Sequence, residues 1–176
     1  MSCSILAIGR NLPCIKGVGG IKSIILCDYG TLGTLTVVGA EVTDISTTPA
    51  GYQYLVKPGS SGMEETITAS AENGTVFYVQ NVNIQLQKLD KLTQAELQDV
   101  AAGNPHVIVE DFNGNYFLAG AVNGCDVTAG TIVTGTALGD FTGFTMTFTG
   151  NEKLPAFFMS STAIGKVAVA SSPIQP

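Results

Sequence analysis

The sequence holds one histidine, His106, and this limits the acid–base chemistry open to the chain. A serine or cysteine nucleophile normally depends on a histidine that accepts its proton. His106 directly follows Pro105 at the start of a segment rich in β-branched residues, and such a position favours a structural role. The sequence also lacks the Gly-x-Ser-x-Gly motif of a nucleophile elbow. We therefore predict no nucleophilic active site.

The cysteines do not form the pairs that a metal site would need. Closed structural zinc sites take four nitrogen or sulfur ligands, typically in close pairs such as Cys-x-x-Cys, and no such pair exists here. Two disulfides would require export from the cell, which nothing in the sequence supports. We predict free, buried thiols and no bound metal or cofactor. The four cysteines are Cys3, Cys14, Cys27 and Cys125.

Two loops resemble ligand-binding motifs only in part. The glycine-rich loop 17–20 lacks the Lys-Ser/Thr of a phosphate-binding loop, and the segment after it is typical of a strand. The loop 111–115 begins like a calcium loop, but its glycine stands at the fourth position and Val122 occupies the place of the bidentate glutamate. Turn formation explains both loops.

Adjacent carboxylates occur at residues 64–65 and 110–111. Neighbouring side chains of a strand point to opposite faces of a sheet, so neither pair forms a catalytic dyad by itself. The chain also has no tryptophan and only 7% aromatic residues, which argues against a sugar-binding platform. We predict that the protein is not an enzyme.

The composition indicates extensive buried surface. Of 176 residues 45% are hydrophobic and only 12% are charged, against about 25% in typical soluble domains. Either much of the surface is buried against partners, or it is built from small polar residues and glycine. The eight basic residues are scattered and the net charge is −6, which argues against tight nucleic-acid binding. The negative charge is compatible with a surface along which DNA slides without binding.

The sequence predicts no membrane association. No apolar run approaches the roughly 20 residues of a membrane-spanning helix. The N-terminal stretch MSCSILAIGR has no basic region before its apolar residues, unlike a signal peptide. We expect a protein made and retained in a cytoplasm.

Short segments rich in Val, Ile, Thr, Phe and Tyr alternate with turn residues, which is typical of a β-sandwich or barrel. In the longest segment, 75–89, strict alternation predicts one buried face and one polar face. Asn113-Gly114, between two β-rich arms, predicts a type I′ hairpin turn. The predicted strands cover residues 21–28, 35–42, 52–57, 64–71, 75–89, 106–112, 115–120, 131–137, 144–149 and 164–170.

One short helix, at about 93–103, interrupts the strands. Thr93 as N-cap and Glu96 three residues later form a capping box, and the segment 103–105 (Gly-Asn-Pro) ends the helix. About three turns are too short to be stable alone, so the helix must dock on a sheet through an apolar stripe that includes Leu97. The predicted fold class is all-β, a β-sandwich or barrel with one short flanking α-helix.

In the order of its motifs, the chain resembles the tail tube proteins of long-tailed bacteriophages, and more broadly virion structural proteins of phages of Bacteroidetes hosts. The resemblance covers most of the chain. It is carried by GRNLPCIKGVGGIKSIILCDYG (9–30), MEETITASAENGTVFYVQNVNIQLQKLD (63–90), TQAELQDVAAG (93–103), HVIVEDFNGNYFLAGAVNG (106–124) and GDFTGFTMTFTGNEKLPAFF (139–158). The role of this family is architectural, so no catalytic residues are implied.

The resemblance implies a subunit that assembles with copies of itself, as stacked hexameric rings, into a tail tube. It also implies contacts with other virion proteins, non-specific passage of DNA, and a location in the virion after assembly in the host cytoplasm. Residues 1–176 would form a single domain with an N-terminal segment (1–20), a long loop (44–62) and a C-terminal tail (171–176). Candidate residues of a lumen or subunit face are Asn81, Asn83, Gln85 and Gln87, and those of an inter-subunit loop are Pro49, Tyr52, Tyr54, Lys57 and Pro58.

Other interpretations stay open. A capsid decoration protein or a head–tail connector ring also fits an all-β, weakly charged chain. A monomeric ligand-binding β-sandwich fits the fold, although the lack of tryptophan argues against it.

Overall fold

The computed structural model describes residues 17–170, which form two β-sheets and two helices. The larger sheet has the strand order β12-β4-β1-β7-β8-β11-β3-β2, and the smaller has the order β5-β6-β10-β9. The predicted all-β fold class is confirmed, with a second short helix in addition to the predicted one. In chain order the elements are β1 (Ile21–Cys27), β2 (Leu35–Val38), β3 (Glu41–Ile45), β4 (Ala50–Leu55), β5 (Gly62–Ser70), β6 (Thr75–Gln87), α1 (Lys91–Ala102), β7 (His106–Asp111), β8 (Tyr116–Ala119), β9 (Asp126–Val133), β10 (Gly143–Glu152), β11 (Phe157–Met159), α2 (Ser161–Gly165) and β12 (Ala168–Ala170).

Buried side chains of both sheets meet in one hydrophobic cluster, called here the first core. The larger sheet contributes residues of β1 and β7, and the smaller sheet contributes alternate residues of β6 and β10. α1 docks on this cluster through Leu97, its one buried residue. The arrangement is sandwich-like. The principal members are Ile24, Leu26, Val82, Ile84, Leu86, Val107, Val109, Phe144, Met146 and Phe148.

The central strands β1 and β7 are buried on both faces, as near-continuous apolar sequences favour. Ile25 of β1 and Ile108 of β7 point away from the first core into a second buried cluster. Val42 of β3 and Ala163 of α2 belong to that second cluster. The larger sheet therefore carries a core on each face of its central strands.

The predicted helix forms, but its start differs from the prediction. α1 begins at Lys91, and Asp90 is its N-cap, because the Asp90 carboxylate accepts hydrogen bonds from the backbone N–H groups of Leu92 and Thr93. Thr93 already lies inside the first turn, so the predicted capping box is wrong. Gly103 ends the helix as predicted.

The hairpin at Asn113-Gly114 forms, but its turn is not type I′. Asp111 N–H donates to the carbonyl of Asn115 at 3.0 Å, which leaves a three-residue loop. Gly114 has a φ of 83°, whereas Asn113 does not adopt positive φ. The Asp111 carboxylate accepts hydrogen bonds from the N–H groups of Asn113 and Asn115, and these bonds stabilise the wider loop.

Other boundaries also differ from the predictions. The segment 35–42 is the hairpin of β2 and β3 with a turn at Gly39, whose φ is 67°, rather than one strand. The segment 164–170 contains the end of α2 before β12. The predicted long loop 44–62 is interrupted by β4, which pairs with β1 and β12. The tail 171–176 and all but the last four residues of the N-terminal segment 1–20 lie outside the described residues.

Candidate self-assembly surfaces

The polar face predicted on the longest strand is present on β6. From Gln80 onward, buried residues that face the first core alternate with residues that are exposed or half-buried. The smaller sheet therefore has an outer face that the larger sheet does not cover. The predicted residues on this outer face are Asn81, Asn83, Gln85 and Gln87.

Threonines of β10 extend the outer face across the sheet. The Thr149 hydroxyl donates to Asn81 Oδ1 at 2.8 Å, and the Thr147 hydroxyl donates to Asn83 Oδ1 at 2.7 Å. These hydrogen bonds fix the orientation of both asparagines. These threonines were not predicted to lie on this face, although their alternation along 145–149 is typical of one side of a strand.

None of the four strands of the smaller sheet contains a lysine or arginine. Their charged residues are all acidic: Glu64, Glu65, Asp126 and Glu152. Proteins hold the phosphates of nucleic acids with clustered cations. The outer face provides none, so it has no means of retaining a passing nucleic acid through its phosphates.

Both edges of the smaller sheet are unpaired within the described chain. An unpaired edge presents a row of backbone N–H and C=O groups, which monomeric proteins usually protect with charge, proline or a bulge. β9 has a register shift beside Thr128, but its residues after that position are exposed and uncharged. A groove of about 500 Å³ lies between α1 and this strand, and Ile132 in it is 60% exposed. β9 is thus open to pairing with another strand.

The predicted residues of the inter-subunit loop divide between the interior and the surface. Pro49 is buried, and its carbonyl accepts a hydrogen bond from Ala168 N–H at 2.8 Å. The Tyr54 hydroxyl donates to the Glu96 carboxylate of α1 at 2.9 Å. Burial, followed by this carboxylate, raises the pKa of Tyr54 well above its ordinary value. Both residues serve the subunit's own fold, which leaves three exposed candidates: Tyr52, Lys57 and Pro58.

His106 is buried and uses both ring nitrogens within the fold. Nε2 accepts a hydrogen bond from Gly30 N–H at 3.0 Å, so Nδ1 carries the proton and donates to the Gly120 carbonyl at 2.6 Å. The ring also stacks on Tyr29, with centroids 5.4 Å apart. With these partners His106 connects the loop at 29–30 to the turn at Gly120, and both of its ring nitrogens are engaged in hydrogen bonds.

Cys27 and Cys125 are buried and free. Burial, with a smaller effect of nearby carboxylates, raises the pKa of Cys27 to about 11 and that of Cys125 to about 12. Both thiols are therefore protonated at neutral pH and are poor nucleophiles. Cys3 and Cys14 lie outside the described residues.

The buried carboxylate of Glu110 lies near the end of β7 that is remote from His106. Glu110 accepts hydrogen bonds from Lys22 Nζ and Ser23 Oγ, each at 2.6 Å. Burial of Glu110 raises its pKa, but the hydrogen bonds from Lys22 and Ser23 together outweigh this effect, so the pKa lies below its usual value near 4.5. The ionised form is therefore the one that the fold favours.

We expect part of the folding stability to be lost at acid pH through Glu110. Because its folded pKa is lowered, its contribution is complete above about pH 4.5 and is lost as the pH falls through the folded pKa. Glu110→Gln should lower the free energy of unfolding by about 1–3 kcal/mol at neutral pH and flatten this pH dependence. Urea denaturation at neutral pH and near pH 3 measures both effects, with the exposed Glu72→Gln as control. An unchanged pH profile in Glu110→Gln would contradict the assignment.

Within residues 17–170, neither helix is long and apolar enough to cross a membrane. The same residues contain no group of three or more His, Cys, Asp or Glu side chains that could hold a metal ion. Comparisons of the chain with protein-family models, with curated proteins and with solved structures find no match.

Proposed function

We propose that this chain is a structural protein of a tailed-phage virion that assembles with copies of itself into stacked rings, forming a tail tube through which DNA passes. The observation that carries the proposal is the smaller sheet, with its cation-free outer face and an open strand at each side. The resemblance in motif order to phage tail tube proteins supports the part of the proposal that places the chain in a virion.

The strand directions of the smaller sheet suit ring closure. Its strands are antiparallel throughout, so the two edge strands β5 and β9 run in opposite directions. The β5 strand of one copy placed beside β9 of the next continues the antiparallel alternation. Pairing of two different edges is a head-to-tail contact, which closes into a ring when the rotation suits.

In such a ring the outer faces of the smaller sheets would line the bore. Asparagine, glutamine and threonine side chains would face the DNA, and all charged residues within the four strands are acidic. Phosphates would find no cation on the strands of this face, so the face itself would not retain passing DNA. Extensive contacts between copies also account for the low content of charged residues.

The test is the assembly state of the purified chain of 176 residues. We expect mass photometry to show ring-sized species and negative-stain electron microscopy to show tubes at high protein concentration. A strict monomer at high concentration, together with the absence of the protein from virions, would refute the proposal. Isolated rings or trimers without tubes would favour a connector or capsid decoration protein instead.

Ile132→Lys is expected to prevent ring closure. The side chain is 60% exposed on the open strand β9, so the substitution should leave the fold intact, while a lysine on an edge strand opposes pairing with a second strand. We expect at least a roughly tenfold rise in the concentration needed for assembly, which corresponds to about 1.4 kcal/mol. Sedimentation velocity measures it.

Val122→Lys is the matched control for Ile132→Lys. Val122 is 66% exposed and lies outside the smaller sheet. The substitution therefore introduces the same charge at a position of comparable exposure. Equal assembly of the two variants would show that β9 is not the ring contact.

A further inference from the structure

The hairpin of β5 and β6 extends beyond the sandwich. No residue from 64 to 77 is buried, and the buried positions of β6 begin at Gln80. We call residues 66–77 the arm. Ile67 and Val76 are 64% and 55% exposed, which is unusual for apolar residues in the middle of paired strands. A two-stranded hairpin with both faces in water is marginally stable, so the arm gains from a covering surface.

One side of the arm continues the core-facing side of the smaller sheet. Pairing of Ile67 with Tyr78 and of Ala69 with Val76 places these residues on the same side as Val82, which is fully buried. At the level of Val82 the larger sheet covers that side, whereas along the arm no described residue does. The arm therefore carries an apolar strip that the subunit itself leaves uncovered.

Charge differs between the two ends of β6. The segment 58–87 contains no basic residue, and Glu72 lies at the tip of the arm. The other end of β6 leads directly to Lys88 and Lys91. The 13 residues of β6 span about 40 Å at about 3.3 Å per residue, so the acidic tip and these lysines lie at opposite ends of the subunit.

The lysine end also has an exposed apolar side chain. Leu92, in the first turn of α1, is 57% exposed beside Lys91. The two ion pairs found within residues 17–170 use Lys22 and Lys166, so Lys88 and Lys91 have no carboxylate partner there. We call Lys88, Lys91 and Leu92 the basic patch.

We infer that the arm of one copy docks on the basic patch of a copy in the next ring. Glu72 would approach the two lysines, and the apolar strip of the arm would cover Leu92. The inference rests on the proposed function and specifies the axial contact, which is the contact between successive rings along the tube. Since the contact joins opposite ends of identical subunits, it can repeat without limit and extend rings into a tube.

Charge reversal tests the contact. Lys91→Glu and Glu72→Lys, each alone, should form rings but at least tenfold fewer tubes than the wild type, because like charges then face each other across the ring boundary. An equimolar mixture of the two variants should restore tubes with alternating rings. Lys153→Glu, at an exposed lysine outside the basic patch, is the control with the same change of charge as Lys91→Glu. Negative-stain counts of rings and tubes are the measurement.

The outcomes separate this contact from the proposed function. Wild-type chain that forms no rings overturns both. Wild-type tubes that persist in Lys91→Glu and Glu72→Lys overturn the axial contact alone, as does a mixture that forms no more tubes than either variant. Loss of tubes from Lys153→Glu to the same degree would show an effect of net charge and would also overturn it. Circular dichroism of each variant confirms that the fold is retained.

Discussion

Replacing Phe148 by alanine is expected to lower the free energy of unfolding by about 3–5 kcal/mol. The side chain is fully buried in the first core. Phe148 pairs with Val82 on one side and with Val127 on the other, so β10 is held between two strands. Because both neighbouring ladders fix the backbone, the surroundings have little freedom to collapse, and a cavity the size of a phenyl ring remains.

Far-UV circular dichroism during urea denaturation measures the effect of Phe148→Ala, since the chain has no tryptophan to serve as a fluorescence probe. The midpoint of thermal unfolding should fall by roughly 6–20 °C, at about 2–4 °C per kcal/mol. Phe77→Ala is the matched control, because Phe77 is 40% exposed on the arm, and it should cost less than about 1 kcal/mol. Equal losses in the two variants would show that Phe148 does not occupy a rigid core.

The parts of the fold that follow from local patterns could be predicted from the sequence. The alternation of β6 identifies its two faces, because a strand buried on one side repeats every two residues. The hairpin of β7 and β8 is marked by Asn113-Gly114. The turn type was wrong because the side chain of Asp111, two residues before the asparagine, accepts hydrogen bonds that favour a longer loop.

The elements that were missed depend on distant contacts. α2 begins where the Ser160 hydroxyl accepts a hydrogen bond from Ala163 N–H, and Ala163 is buried in the second cluster. The β-branched residues of 164–170 predict a strand there, although the first two residues of that segment belong to the end of α2. The short strand β11 pairs with β8 and β3, both remote in sequence. Whether these segments become helix or strand depends on their burial against distant parts of the chain, and local sequence propensity carries no information about that burial.

The open edges of the smaller sheet could not be predicted either. Whether a strand lies at an edge depends on which strands pair, and the order β5-β6-β10-β9 joins segments more than 50 residues apart. The start of β9 was also missed, because Asp126 and Gly130 are uncommon in strands. In contrast, the polar face of β6 was visible from the sequence. The sequence thus identified a candidate face but not the edges that would join copies of it.

Gly120→Ala is expected to lower the free energy of unfolding by about 2–5 kcal/mol. Gly120 has a φ of 65°, which costs a residue with a Cβ about 1–2 kcal/mol. A Cβ there would also lie 2.5 Å from the carbonyl carbon of Gly124 and 2.7 Å from Cys125 Sγ. Relief requires a backbone shift, and such overpacking typically costs about 1–3 kcal/mol more.

The shift would also disturb two buried hydrogen bonds. Gly120 N–H donates to Gln80 Oε1 at 2.9 Å, and the Gly120 carbonyl accepts the bond from His106. Through these bonds Gly120 connects the smaller sheet to the loops around His106. A polar group buried without its partner is costly, so even a small displacement adds to the loss.

Gly74→Ala separates the two contributions at Gly120. Gly74, in the turn of the arm, has a φ of 61° and no atom within 4 Å of an added Cβ, so it retains the conformational cost and lacks the clash. We expect Gly74→Ala to cost about 1 kcal/mol. The difference between the two variants, measured by urea denaturation, then gives the cost of close packing at Gly120. Equal costs would show that the backbone around Gly120 yields freely, and the loops that surround His106 would then not be the rigid unit that their hydrogen bonds imply.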